Sequence, residues 1–208
     1  MHVDSSLELG RDDPVLEVPW ASEDDRIRYY NLRNDPELIN ELPETEDCVE
    51  LREFLLRLNA PRFPLQTAKC DIWRTNEISP EEEIFAAHQK FASYVDLIFA
   101  EGPTQCSLEA HEELIHKLID LLKRAPDTPA TIEFVLRRCY YHPSIGASAR
   151  GDEDYTGFCI TTYITGFGDS DEEARQRWAI ALKLLQHAVV QTTRAQSLKA
   201  DSGQDFLL

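Results

Sequence analysis

A strand-like segment followed by a helix start occurs twice in this chain, and that recurrence constrains the fold more than any other feature. Thr67-Ala68-Lys69-Cys70-Asp71-Ile72-Trp73 precedes Ser79-Pro80-Glu81-Glu82-Glu83, and Thr156-Gly157-Phe158-Cys159-Ile160-Thr161-Thr162-Tyr163 precedes Ser170-Asp171-Glu172-Glu173. Downstream, Ile84, His88, Phe91, Ala92, Val95, Ile98 and Phe99 match Ala174, Trp178, Ala181, Leu182, Leu185, Ala188 and Val189 at a constant offset of 90. Apolar residues recurring at i, i+3, i+4 and i+7 mark one face of a helix. The expectation is an internal pseudo-repeat, 67–100 and 156–190, of a strand packed under a long amphipathic helix.

The other elements follow from spacing and punctuation. Leu51, Phe54, Leu55 and Leu58 predict a short helix over about 47–59, stopped by Pro61. Residues 65–74 read as a strand. Ser79, Pro80 and Glu82 form a capping box with proline in the first turn, predicting a helix over 80–100 that Gly102 stops. A third helix, 107–124, begins at Ser107, buries Leu108, Leu114, Ile115, Leu118, Ile119 and Leu122, and ends in Lys123 and Arg124, where cations suit the helix dipole. Strict alternation over 131–142 and 155–167 predicts an antiparallel hairpin, and Ser170 with Glu173 caps a last helix over 170–195. The fold class is therefore α+β: a small antiparallel or mixed sheet with the helices mainly on one face. The far face, with Lys69, Asp71, Trp73, Arg137, Tyr141, Thr161 and Tyr163, is amphipathic: open to solvent, paired in a homodimer, or covered by the N-terminal arm.

At 208 residues the length suits one large domain. Residues 1–25 read as an extended acidic arm with Val15, Val18 and Trp20 pinned to the core, 26–196 as the single domain, and 197–208 as a flexible tail. Residues 26–43 fit a helix or a strand equally well.

Charge narrows the partners. The net charge is −17, and residues 1–60 carry 16 acids against six arginines. Nucleic acid and anionic membrane would be repelled, so neither is expected; a protein partner or self-association remains. No apolar stretch reaches the roughly 20 residues a membrane helix needs, and no secretory leader is legible, so a cytoplasmic location is expected. Cys48, Cys70, Cys106, Cys139 and Cys159 are odd in number, widely spaced and without a C-x-x-C pair, which suits buried thiols.

Candidate chemistry is sparse. His111-Glu112-Glu113-Leu114-Ile115-His116 resembles a zinc-protease motif but is one residue too long. At about 100° per residue the two histidines diverge by roughly 140° beyond a full turn. No metal site and no cofactor are expected. Cys139 and His142 point to opposite faces of an extended strand, which disfavours a thiolate–imidazole pair. Gly166-Phe167-Gly168-Asp169 opens a helix, but its acids would repel phosphate. The best polar cluster for a small anion is Arg137, Tyr141 and His142, beside a loop over 143–154.

Two functions remain. The first is a non-catalytic acidic cytoplasmic interaction module, adaptor- or chaperone-like; a hairpin followed by a long terminal helix in a very acidic chain resembles secretion chaperones in pattern. The second is a small-ligand-binding protein or enzyme with a pocket between the sheet and loop 143–154. The balance of motifs leans away from an enzyme.

Overall fold

The computed structural model describes residues 1–21, 28–142 and 155–203, the last nine of them as helical backbone alone. The fold is α+β, built on one mixed six-stranded sheet. The strands are β1 (His2–Glu8), β2 (Leu16–Val18), β3 (Leu65–Thr75), β4 (Gln89–Phe99), β5 (Ala130–Tyr141) and β6 (Tyr155–Gly168). The helices are α1 (Val49–Leu58), α2 (Gly102–Gln105), α3 (Leu108–Leu122) and α4 (Asp171–Gly203), with 3-10 turns at Pro36–Glu41, Pro43–Thr45 and Pro80–Phe85. Sheet order is β1-β5-β6-β4-β3, and β2 continues the β1 edge along β5.

The expected hairpin forms: β5 and β6 pair antiparallel from Ala130–Gly166 to Tyr141–Tyr155. Helices α1, α3 and α4 cover one sheet face. Trp178 of α4 is fully buried, lies 4.8 Å centroid to centroid from Phe91, and donates its indole N–H to Ser93 Oγ at 2.9 Å. Close approach of α4 depends on Gly166, where a Cβ would stand 2.2 Å from the Trp178 backbone nitrogen. Leu51, Phe54, Leu118, Ile132, Phe134, Leu182 and Leu185 complete the same core.

The helix expected over 80–100 is not there, which removes the helical half of the first pseudo-repeat unit. The capping box does form: Ser79 N–H donates to Glu82 Oε2 at 2.7 Å. It starts only a 3-10 turn, which ends at Ala86 in the left-handed region with φ of 49°. The chain then runs as β4, a central strand between β6 and β3. Phe91, Ser93, Val95, Leu97 and Phe99 face the helices, while Ala92, Tyr94, Asp96 and Ile98 face the other way. Because both faces are largely buried, the segment reads as one apolar run and has no period of two. Such a run meets helical spacing by accident. Gly102, expected as a stop, opens α2.

The N-terminal arm is part of the sheet. Residues His2–Glu8 and Leu16–Val18 pair parallel with β5, and Arg138 donates to the Gly10 carbonyl at 2.5 Å where the chain leaves the edge between them. From Val18 the chain crosses the open sheet face. There Trp20 Nε1 donates to the Ala68 carbonyl on β3 at 3.0 Å, and Tyr29 N–H returns to the Trp20 carbonyl. This strap buries Val18, Ile98, Cys139, Tyr141 and Cys159 as a second small core. Helix α4 runs to Gly203, beyond the Ala195 that periodicity predicts; Phe206-Leu207-Leu208 and loop 143–154 lie outside the described residues.

Candidate functional site

Strand β3 forms one edge of the sheet, and its hydrogen-bonding pattern decides what that edge can do. Its N-terminal half is capped. Arg33 donates to the Phe63 and Leu65 carbonyls at 2.6 and 2.7 Å, Asn59 Oδ1 accepts from Thr67 N–H at 3.2 Å, and Trp20 takes the Ala68 carbonyl. A register shift between Thr67 and Cys70 changes the parity, so Cys70, Ile72 and Arg74 turn their backbone groups outward. Ile72 N–H is met only by the neighbouring Asp71 carboxylate at 2.7 Å. Among the described residues no other backbone group bonds these three positions.

Alongside this edge lies a half-open groove of about 610 Å³. Its walls come from Trp20, Arg28, Tyr30 and Leu32 on the strap side, Glu41 to Glu44 in the paired 3-10 turns, Thr67 to Asp71 on β3, and Leu55 and Tyr94. Asp35 caps the first turn by accepting from Glu37 N–H at 3.1 Å, and Thr45 ties the second back through the Ile39 and Leu42 carbonyls at 3.0 Å each. That local order holds Glu44 against the edge. Glu44 Oε2 is buried with no hydrogen-bond partner among the described residues.

Three carboxylates, Glu41, Glu44 and Asp71, line this groove against two cations, Arg28 and Lys69. Burial pushes the Cys70 thiol up to about 12, helped by Glu44, Asp71 and Asp96. Burial together with Asp96 and Asp71 likewise raises the Tyr94 phenol. A thiol held so far toward its protonated form is a poor nucleophile. On the open face beside the groove, Trp73, Tyr94 and Tyr163 form an aromatic row with centroids 6.4 and 5.9 Å apart, and Trp73 stays 38% exposed.

The sequence-predicted cluster of Arg137, Tyr141 and His142 does not gather on one surface. Arg137 lies on the open face. It donates to Glu8 Oε2 at 2.6 Å, to Thr161 Oγ1 at 3.2 Å and to the Tyr163 hydroxyl at 3.4 Å. Burial would lower its pKa, but Glu8 and Tyr163 outweigh it and the net direction is upward. Tyr141 is buried, stacks on Tyr155, and donates its hydroxyl to the Phe158 carbonyl at 2.7 Å. His142 leaves on the opposite side, 3.3 Å from Glu17 Oε2 and edge-on to Tyr140. Loop 143–154, the other wall of the pocket expected there, is outside the described residues.

His111 and His116 separate as the helix geometry requires. His111 is fully buried between Phe99 and Phe158, its Nδ1–H donating to the Ser107 carbonyl at 2.7 Å, and burial lowers its pKa; His116 is exposed. Among the described residues no group of three or more His, Cys, Asp or Glu side chains is placed to hold a metal. Nor is any helix among them long and apolar enough to cross a membrane.

Sequence reasoning passed over Glu44 and Asp96. Asp96 is 4% exposed on β4. It accepts from Thr161 Oγ1 at 2.6 Å, which closes a polar chain from Glu8 through Arg137 and Thr161 across four strands. Burial lifts its pKa to about 6 despite Thr161, Arg137 and Lys69. Its signal was legible: it is the one charge in the run from Phe91 to Phe99. Comparison with protein-family models, with curated proteins and with solved structures returns no match to this chain.

Proposed function

We propose that this chain is a non-catalytic interaction module, adaptor- or chaperone-like, that takes an extended segment with basic side chains from a partner protein along the outer edge of β3. One observation carries the reading. Outward-facing backbone groups at Cys70, Ile72 and Arg74 without a strand partner adjoin an acidic groove in which Glu44 Oε2 is unbonded. A strand added to a free edge gains affinity from main-chain hydrogen bonds and specificity from alternate side chains that enter pockets. A lysine or arginine of that segment meets Glu44, with Glu41 and Asp71 beside it; the aromatic row offers a flat surface to side chains on the other side of the added strand.

The sign of the partner follows from charge. At −17, a second copy of this chain is repelled at long range, whereas a basic segment is drawn in. The free thiols of Cys48, Cys70, Cys106, Cys139 and Cys159 fit the reducing cytoplasm in which we place it.

Calorimetric titration with three ten-residue peptides tests this. An alternating Val-Lys peptide should saturate at one per chain. An alternating Val-Glu peptide should not bind, and a helical Ala-Lys peptide of equal charge should bind far more weakly. Glu44→Gln should weaken the Val-Lys complex several-fold. Equal affinity for the helical peptide, or indifference to Glu44→Gln, would sink the strand-addition reading.

A further inference from the structure

Between the strap and the open sheet face lies a second, half-open pocket of about 230 Å³, lined by Leu16, Val18, Trp20, Lys69, Asp96 and Cys159 among others. Two opposite charges border it without meeting. Asp96 uses Oδ1 for the Thr161 hydroxyl at 2.6 Å, and among the described residues Oδ2 accepts no hydrogen bond. Lys69 holds its ammonium over the Trp20 ring, 4.7 Å from the centroid, and is paired with no acid among the described residues. Arg137, the other cation that acts on Asp96, is committed to Glu8, Thr161 and Tyr163. Asp96 is 4% exposed and Thr161 is its one side-chain donor among the described residues, so a ligand that brings a charged donor into the pocket adds to what burial leaves.

We propose that this cavity binds a small zwitterion, an α-amino acid with a short aliphatic side chain. Its ammonium bonds Asp96 Oδ2, its carboxylate meets Lys69, and its side chain lies against Leu16, Val18 and Trp20. The size fits: 230 Å³ is the space of about seven or eight water molecules in the liquid, room for a ligand of valine's size. A ligand with only an ammonium would be repelled by Lys69 and leave it unpaired; one with only a carboxylate would meet Asp96. The bridging zwitterion alone satisfies both. This site adjoins the β3 groove and shares Trp20, Ala68 and Lys69 with it, but Asp96 lines this pocket and not the groove, and its test involves neither Glu44 nor a peptide, so either reading can fail without the other.

Titration calorimetry on the full chain with L-valine, n-butylammonium chloride and sodium isovalerate decides it. Valine should bind saturably at one per chain. Each singly charged probe should bind at least about tenfold more weakly, the scale of one lost charge-assisted hydrogen bond. Asp96→Asn and Lys69→Gln, each first shown folded by its melting curve, should each cost valine about tenfold for the same reason. Three results would each overturn the proposal: no saturable valine binding, valine binding that Asp96→Asn leaves unchanged, or butylammonium binding as tightly as valine.

Discussion

Replacing Asp96 with Asn should stabilise the protein at neutral pH and leave it unchanged in acid. Burial raises the folded-state pKa of Asp96 from 3.8 to about 6. With the folded value above the unfolded one, the neutral carboxyl is the form the fold prefers. Its favourable contribution is fully present below about pH 4 and is lost as the pH rises through 6. Two pKa units at about 1.4 kcal/mol each put the cost of ionising Asp96 near 3 kcal/mol at pH 7. Asn keeps an oxygen for the Thr161 hydroxyl but places an amide N–H where Oδ2 stood, and an amide without a partner costs about 1–3 kcal/mol. Because Asp96 borders the 230 Å³ cavity, water can meet that amide. A net gain of about 1–3 kcal/mol at pH 7 follows, and a protein of this size gains about 2–4 °C in Tm per kcal/mol. Thermal melts of both proteins from pH 4 to 8 check this. The curves should coincide near pH 4, separate through pH 6 and then run parallel. A variant less stable by the same amount at every pH would mean that Lys69 and Arg137 stabilise the charged carboxylate more than burial disfavours it.

Other expectations follow from the same geometry. Gly166→Ala should cost about 1–3 kcal/mol or more by denaturant melt, because α4 cannot retreat without exposing Trp178. Leu185→Ala should cost about 2–5 kcal/mol, the usual range for a fully buried leucine. Ile72→Pro removes an N–H that faces away from β4, so it should leave the melting temperature within a few degrees yet abolish binding of the Val-Lys peptide in the same titration. Raising salt from low to physiological strength should slow association of that peptide more than it speeds dissociation, as read by stopped-flow mixing.

Local signals were legible in the sequence where each element meets solvent on one side. Helices α1 and α3 and the start of α4 show one buried face, while β5 and β6, largely covered on both faces, still interleave polar with apolar residues; these patterns place all of them within a few residues. Strand β4 was hidden for the opposite reason: both of its faces are largely buried, so the pattern that separates strand from helix vanishes and a genuine capping box misleads. Strands β1 and β2 carry few apolar residues and owe their existence to pairing with β5, more than 120 positions away in the chain. The partner of Arg137, Glu8, lies at the same remove. The outward parity of Cys70, Ile72 and Arg74 depends on a register shift that no local pattern encodes. Cys70 and Tyr94 took on meaning only once Glu44, Asp71 and Asp96 were seen around them.

Backbone amide hydrogen exchange of the full chain, with and without the Val-Lys peptide, tests strand addition at the bonds it would form. The outward N–H groups of Cys70, Ile72 and Arg74 should exchange quickly in the free protein and slow markedly on binding. Asp71 and Trp73, whose N–H groups already face β4, should change little. Unchanged exchange at Ile72 in a saturated complex, or protection appearing along β1 instead, would contradict the assignment of β3 as the docking edge.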